Sequence, residues 1–305
     1  MAEFGGGLRA SLRRMPELPE VEVTRRELAP ALLGRVIARV RTTQPSYFFL
    51  TPPRTLARRM KGRRADELSR HGKYLLLGLD SGARVLLHLG MTGQLFMDGA
   101  SSVRLLSSTA AASLAPEEQM RFTPDAHTHV TLEFEDDGPR MHFRDVRKFG
   151  KVEWLPRGES SPRLDKLGVD VLQATGADLH AATRKRRAPI KSVLLDQSVL
   201  AGVGNIYADE ALFLAGIRPT RPANRVSRAR CHALVEAAQR VMLRSIETGG
   251  SSISDYVRPG GDDGGYQDER RVYARTGEPC PECGAPIRRI VVGTRGTHFC
   301  PRCQR

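Results

Sequence analysis

The sequence predicts an α+β multidomain protein: an N-terminal β-sandwich led by a single helix, then a helical domain, then a C-terminal zinc-ribbon β-hairpin. Three observations carry the prediction. Short apolar or alternating runs, separated by Gly, Pro and Asp, fill residues 36–155 in the manner of half-buried strands. Apolar residues then recur at helical spacing across residues 178–247. Last, Cys280-Pro281-Glu282-Cys283 and Cys300-Pro301-Arg302-Cys303 form two C-x2-C pairs with sixteen residues between them, the spacing with which four thiolates close a tetrahedral zinc site.

Taken in order, Glu20 to Leu33 reads as the leading helix, with Val21, Leu28 and Leu32 on one face, Pro16 and Pro19 ahead of it and Gly34 as its stop. Pro30 is expected to kink its last turn. Strands are expected at Val36 to Val40, Tyr74 to Leu79, Arg84 to Leu89, His129 to Phe134, Arg140 to Phe143 and Lys151 to Leu155. Gly99 to Glu118, rich in Ser and Ala, reads as a mobile insertion without chemistry. A Pro-, Gly- and Ser-rich linker at residues 156–162 precedes helices at 178–185, 204–214 and 227–247. Domain boundaries follow at residues 15–157, 158–266 and 267–305, with residues 1–14 as an extension absent from the mature protein.

Composition narrows the partner. At 305 residues and a net charge of +14, the chain suits a polyanion, with nucleic acid ahead of an anionic membrane surface; a basic but merely solvated exterior is the alternative. No run of eighteen apolar residues exists, so no membrane span is expected. Residues before Met15 lack the apolar core of a secretory signal and read as a mis-assigned start or an added leader. Without a secretion signal, zinc accounts for the paired cysteines better than two disulfides do. The fifth, Cys231, shares a helical stripe with Leu234, Val235, Ala238, Met242 and Ile246 and reads as a buried, inert thiol.

Chemistry concentrates at Pro16-Glu17-Leu18-Pro19-Glu20. A proline is special at a chain terminus, where its nitrogen is a secondary amine able to form an iminium; within a chain it is an amide. A terminal amine has a pKa of about 8 against about 10.4 for lysine, so far more of it is free base at neutral pH. A neighbouring carboxylate can shuttle protons through such chemistry, although Glu20 equally suits a helix N-terminus. From Met15 onward the sequence resembles the formamidopyrimidine-DNA glycosylases, bacterial enzymes that excise oxidised purines with a proline exposed by methionine removal. The resemblance rests on P-E-L-P-E, the strand-borne Lys73 of His71-Gly72-Lys73-Tyr74, Arg147-Lys148-Phe149-Gly150, Gly202-Val203-Gly204-Asn205 and the zinc ribbon. Leu18 separates it from endonuclease VIII relatives, which usually read P-E-G-P-E.

That resemblance implies a helix-two-turns-helix element in the helical domain and a base excision repair enzyme that is both glycosylase and abasic-site lyase. Pro16 would be the nucleophile, Glu17 the general acid/base, Glu20 a supporting carboxylate and Lys73 a contact to the sugar and phosphate around the lesion. Met91, Arg147 and Phe149 match a trio that fills the gap left by the extruded nucleotide; without the family, Met91 and Phe149 read as core residues and Arg147 as a surface charge. Asn205 and Arg295 match residues that grip the phosphodiester, and Gly202 and Gly204 are expected to let the DNA strand approach closely. Lys191, with Arg184 to Arg187, reads as a contact to the DNA backbone or as a solvated helix end. One structural Zn2+ on Cys280, Cys283, Cys300 and Cys303 would position Arg295. The implied partner is double-stranded DNA containing damaged bases, met by a monomer in the bacterial cytoplasm at the nucleoid. The glycine-rich stretch at 258–275 occupies the place of a base-covering loop and reads as mobile before binding. If Pro16 stays blocked, the same fold would serve as a non-catalytic binder of damaged or abasic DNA.

Overall fold

The computed structural model describes residues 16–100, 122–252 and 256–305. The leading helix α1 (Leu18–Leu32) begins before Glu20 because Pro19 fits the first turn, where no N–H partner is needed. Val21, Leu28 and Leu32 pack into the sandwich, whereas Leu18 and Val23 belong to the helical core, so α1 joins the two.

The sandwich comprises β1 (Ile37–Thr42), α2 (Pro53–Met60), β2 (Ala65–His71), β3 (Tyr74–Leu79), β4 (Arg84–His88), β5 (Gly93–Met97), β6 (Thr128–Phe134), β7 (Met141–Asp145) and β8 (Lys151–Leu155). Its two antiparallel sheets have the orders β1-β6-β7-β5 and β2-β3-β4-β8. Phe48, Leu75, Val85, Phe143 and Val152 fill the space between them. Three elements depart from the sequence expectation. β2 carries only Ala65 and Leu68 as fully buried residues, β5 follows the glycine-rich turn at 90–93, and α2 is masked by arginines around its buried Leu56 and Met60. The insertion expected at Gly99 to Glu118 lies, from residue 101, outside the described residues.

The helical domain follows as α3 (Pro162–Asp165), β9 (Val169–Asp170), α4 (Gly176–Thr183), α5 (Ile190–Leu194), β10 (Leu200–Ala201), α6 (Asn205–Leu214) and α7 (Arg228–Glu247). Cys231 is wholly buried on α7 with Leu234, Ala238 and Met242, as its stripe predicts. Strands β11 (Arg288–Val292) and β12 (Arg295–Phe299) form the terminal hairpin, turning at Gly293-Thr294. Among the described residues, no helix is long and apolar enough to cross a membrane.

Candidate active site and DNA-facing surface

A cleft of about 440 Å3 opens where the three parts meet, lined by Glu17, Lys73, His88, Asn205, Tyr273 and Arg295 among others. Pro16 is buried immediately before it in the chain. Glu17 owes its place to two glycines. Gly202, at φ +104°, leaves room for Leu18, and at Gly204 a Cβ would stand 2.0 Å from the Glu17 carboxyl carbon. Both glycines are thus required by the packing of Glu17 and Leu18, and Gly204 also lines the cleft. In return, the first turn of α6 donates Ile206 N–H to Glu17 Oε1 at 3.2 Å, while Oε2 is buried without a hydrogen-bond partner.

Burial pushes the Glu17 carboxyl up from 4.5 to about 7, against the pull of the Lys73 ammonium and with the Glu20 charge adding to the rise. Lys73 is itself drawn below the usual lysine range by burial, opposed by the attraction of Glu17 and Glu20. Its turn between β2 and β3 is fixed from the other domain: Asp170 Oδ2 accepts from Gly72 N–H at 2.9 Å and from Arg70 at 2.5 Å. Glu20 reaches back to Glu17 N–H at 2.9 Å and accepts from Tyr207 OH at 2.5 Å and Ser251 N–H at 2.9 Å. It therefore holds α1, α6 and the segment after α7 together, and burial raises its pKa as well. The choice left open for Glu20 narrows accordingly, since both oxygens serve structural partners.

At the other wall Asn205 donates to Gly296 carbonyl at 3.0 Å, and its buried Oδ1 lacks a partner. Arg295 stands exposed at the start of β12, across the hairpin turn from Val292. Lys191 does not join this surface. Its side chain is wholly buried, 2.6 Å from Asp209 Oδ1, and donates to Gly296 carbonyl at 3.0 Å and Thr297 Oγ1 at 2.8 Å. A lysine so enclosed neither touches a DNA backbone nor forms a solvated helix end; it ties α5 and α6 to the hairpin that carries Arg295. Arg184 to Arg187 are exposed, as expected of a basic run.

The remaining residues lie outside the cleft lining and are partly or largely exposed. Met91 lies in the turn after β4, and Arg147 with the 40% exposed Phe149 in the turn after β7. Buried Asp145 joins the two turns: Oδ1 accepts from Thr92 Oγ1 and from Arg147 N–H at 3.2 Å, and Oδ2 from Gly150 N–H at 2.6 Å. The Arg147 guanidinium sits 4.5 Å above the Phe149 ring. Phe149 is thus no core residue, because the loop backbone turns its ring out.

Sequence reasoning missed His88 and Tyr207. Burial holds the His88 imidazole down at about 3, with Lys73 adding to the fall, so it is neutral at physiological pH; it accepts from Gly90 N–H at 3.2 Å and packs on Tyr74. A histidine closing an apolar strand gives no local signal. The glycine-rich stretch after α7 is also less free than expected: Gly264 and Gly265 donate to Ser252 Oγ and Thr248 carbonyl, each at 2.8 Å, and a Cβ on Gly264 would meet Gly250 carbonyl at 2.2 Å. Part of its glycine content serves close packing.

The four C-terminal cysteines place their sulfurs within 4.8 Å of one another, with Cys283 to Cys300 at 3.5 Å and Cys280 to Cys303 at 3.9 Å. Four thiolates around one Zn2+ would sit about 3.8 Å apart, and a disulfide only about 2 Å, so the donor set fits a closed structural zinc site.

Comparison with known proteins settles the lineage. The family model for the formamidopyrimidine-DNA glycosylase N-terminal domain matches residues 15–152, that for the same enzymes' H2TH domain residues 167–257, and that for a zinc finger found in FPG and IleRS residues 277–305. The chain belongs to the formamidopyrimidine-DNA glycosylase family. The formamidopyrimidine-DNA glycosylase of Paraburkholderia phymatum is 42% identical over 297 residues, covering 95% of this chain and all of the relative. Among solved structures, MutM (Fpg) of Thermus thermophilus is similar with a TM-score of 0.78 at 38% identity, over 95% of this chain and 98% of that one. Lactococcus lactis Fpg in complex with DNA containing an abasic site is similar with a TM-score of 0.79 at 33% identity, over 95% of this chain and all of the other. Family membership brings the helix-two-turns-helix domain and the structural zinc finger with it.

Proposed function

We propose that this DNA glycosylase removes oxidised purines, 8-oxoguanine and formamidopyrimidines, from duplex DNA through the Pro16 amine, and then cuts the strand as an abasic-site lyase. The observation that carries the reading is the buried Glu17 and Lys73 pair in a cleft whose far wall holds Asn205 and Arg295. Pro16 nitrogen forms a bond to the deoxyribose C1′ as the C1′ to base bond breaks. Glu17, protonated below about pH 7, donates to the ring oxygen as the sugar opens to an iminium. Loss of the C2′ proton then expels the 3′ phosphate, and δ-elimination the 5′ phosphate. Lys73 and Arg295 offset the negative charge gathering on the departing phosphates. Each step needs the amine, so the enzyme acts as a chain beginning at Pro16. We read it as a monomer working on nucleoid DNA in the cytoplasm.

Borohydride treatment during reaction with an 8-oxoguanine:C duplex traps a covalent protein–DNA adduct from the chain that begins at Pro16. Intact duplex binding with no adduct would overturn the enzymatic reading. A second reading, as a binder of abasic or damaged DNA, applies to any form in which Pro16 keeps a residue ahead of it. The mass of the N-terminal peptide from the native host separates the two, since a retained Met1 leaves the proline an amide.

A further inference from the structure

Tyr47 belongs to none of the sequence motifs, yet it touches the loop that carries Arg147 and Phe149. Its hydroxyl donates to the Arg147 carbonyl at 2.5 Å, and its ring centroid lies 6.5 Å from that of Phe149, tilted by 48°. On the same side the Lys151 ammonium sits 5.0 Å from the Tyr47 ring and donates to the Gly150 carbonyl at 2.9 Å. Tyr47 as a whole is 58% exposed although its polar end is gripped. Its backbone is fixed: Phe48 is wholly buried against Phe143 and His129, Val152 N–H donates to the Phe48 carbonyl at 3.1 Å, and Leu50 N–H to the Val152 carbonyl at 2.9 Å. A rigid, half-exposed aromatic beside the Lys151 ammonium and the Phe149 ring has the make-up of a stacking platform for a nucleobase or sugar.

We infer that Tyr47 is a further DNA-contacting residue, which sets the position of the Arg147 and Phe149 loop through its hydroxyl and extends the inserted surface with its ring. The inference rests on the reading of this protein as a lesion-binding glycosylase. The hydroxyl fixes the carbonyl of Arg147, and so the reach of a guanidinium that would read the base opposite the lesion. The ring adds contact area that does not depend on sequence.

The test uses the chain beginning at Pro16 with Tyr47→Phe and Tyr47→Ala, measuring dissociation constants on a duplex with a stable abasic analogue, relative excision from 8-oxoguanine:C and 8-oxoguanine:A duplexes, and β-elimination at saturating abasic duplex. Tyr47→Phe, which keeps the ring, is expected to bind within about twofold of wild type while opposite-base discrimination falls several-fold. Tyr47→Ala is expected to weaken binding about tenfold in addition, within the range of one aromatic stack. In Tyr47→Ala, β-elimination at saturating duplex, where weaker binding no longer limits, should fall less than affinity does. Wild-type affinity and discrimination in Tyr47→Ala would overturn the inference, as would equal loss of β-elimination in both variants, the mark of a merely structural role. Should Tyr47→Ala fail to fold, discrimination by Tyr47→Phe decides. If the wild type forms no borohydride adduct, the enzymatic reading fails, and the binding constants still decide the role of Tyr47.

Discussion

Glu17 occupies the space that any side chain at residue 204 would need, its carboxyl oxygens lying 2.3 and 2.4 Å from where a Cβ would stand. The proposed general acid and the start of α6 are therefore fitted to each other. Gly204→Ala must displace one of them. The variant is expected to lose at least a hundredfold in borohydride-trapped adduct, with overpacking lowering stability by ~1–3 kcal/mol in a thermal melt.

The pH dependence follows from the raised Glu17 pKa. Between 4.5 and about 7 this group remains protonated in the fold, where a free glutamate would ionise. A step using it as an acid should slow as pH rises through about 7, and Glu17→Gln should lose both that limb and roughly 10²–10⁴ in rate. The linkage has the same sign: a raised folded pKa gives stability that is full below 4.5 and lost as pH climbs through about 7. Melting temperatures should accordingly shift in favour of Glu17→Gln, relative to wild type, between pH 5 and pH 8.

Asp145 offers a separate handle on lesion binding, because it bonds both outward turns and lies outside the cleft lining. In Asp145→Ala the N–H groups of Arg147 and Gly150 lose a charged acceptor, a change worth ~1–3 kcal/mol for a buried partner. Fluorescence anisotropy should show about tenfold weaker binding to an abasic-analogue duplex, while β-elimination at saturation stays near wild type.

Lys191 supplies the sharpest test of the corrected assignment. Replacing it with Met strands the Asp209 charge in the core, which costs about 3–5 kcal/mol. The hairpin loses its tie to α5, so zinc should transfer to a chromogenic chelator faster than from wild type. Adding Asp209→Leu removes the stranded charge and should recover part of the stability. A simple phosphate contact would instead change the salt dependence of binding and leave zinc release alone.

Much of this was legible in the chain. Strands with a continuous apolar stripe, such as Tyr74–Leu79 and Thr128–Phe134, stand close to where alternation predicts them, and α7 keeps its stripe for its whole length. β2 was not legible, since Glu67 and Arg70 dilute its pattern and pairing with β3 defines it. Within the site, Glu17, Lys73, Asn205 and Arg295 do line one cleft. Lys191 was misread because its partner lies on another helix, and a sequence shows a lysine's charge without showing what encloses it. For His88 the determining fact is burial by neighbours from other elements, which local spacing does not encode.

The Lys191 and Asp209 pair, with the cleft walls it holds, carries a consequence for synthesis on the ribosome. Glu17 stands at the start of α1, whereas Arg295 and the thiolate of Cys303 come from the hairpin unit far later in the chain. A growing polypeptide can assemble its sandwich early, but the cleft wall that holds Arg295 joins it only once the hairpin has been made. A product interrupted before the hairpin therefore carries Glu17 and Lys73 without the opposite wall of their cleft.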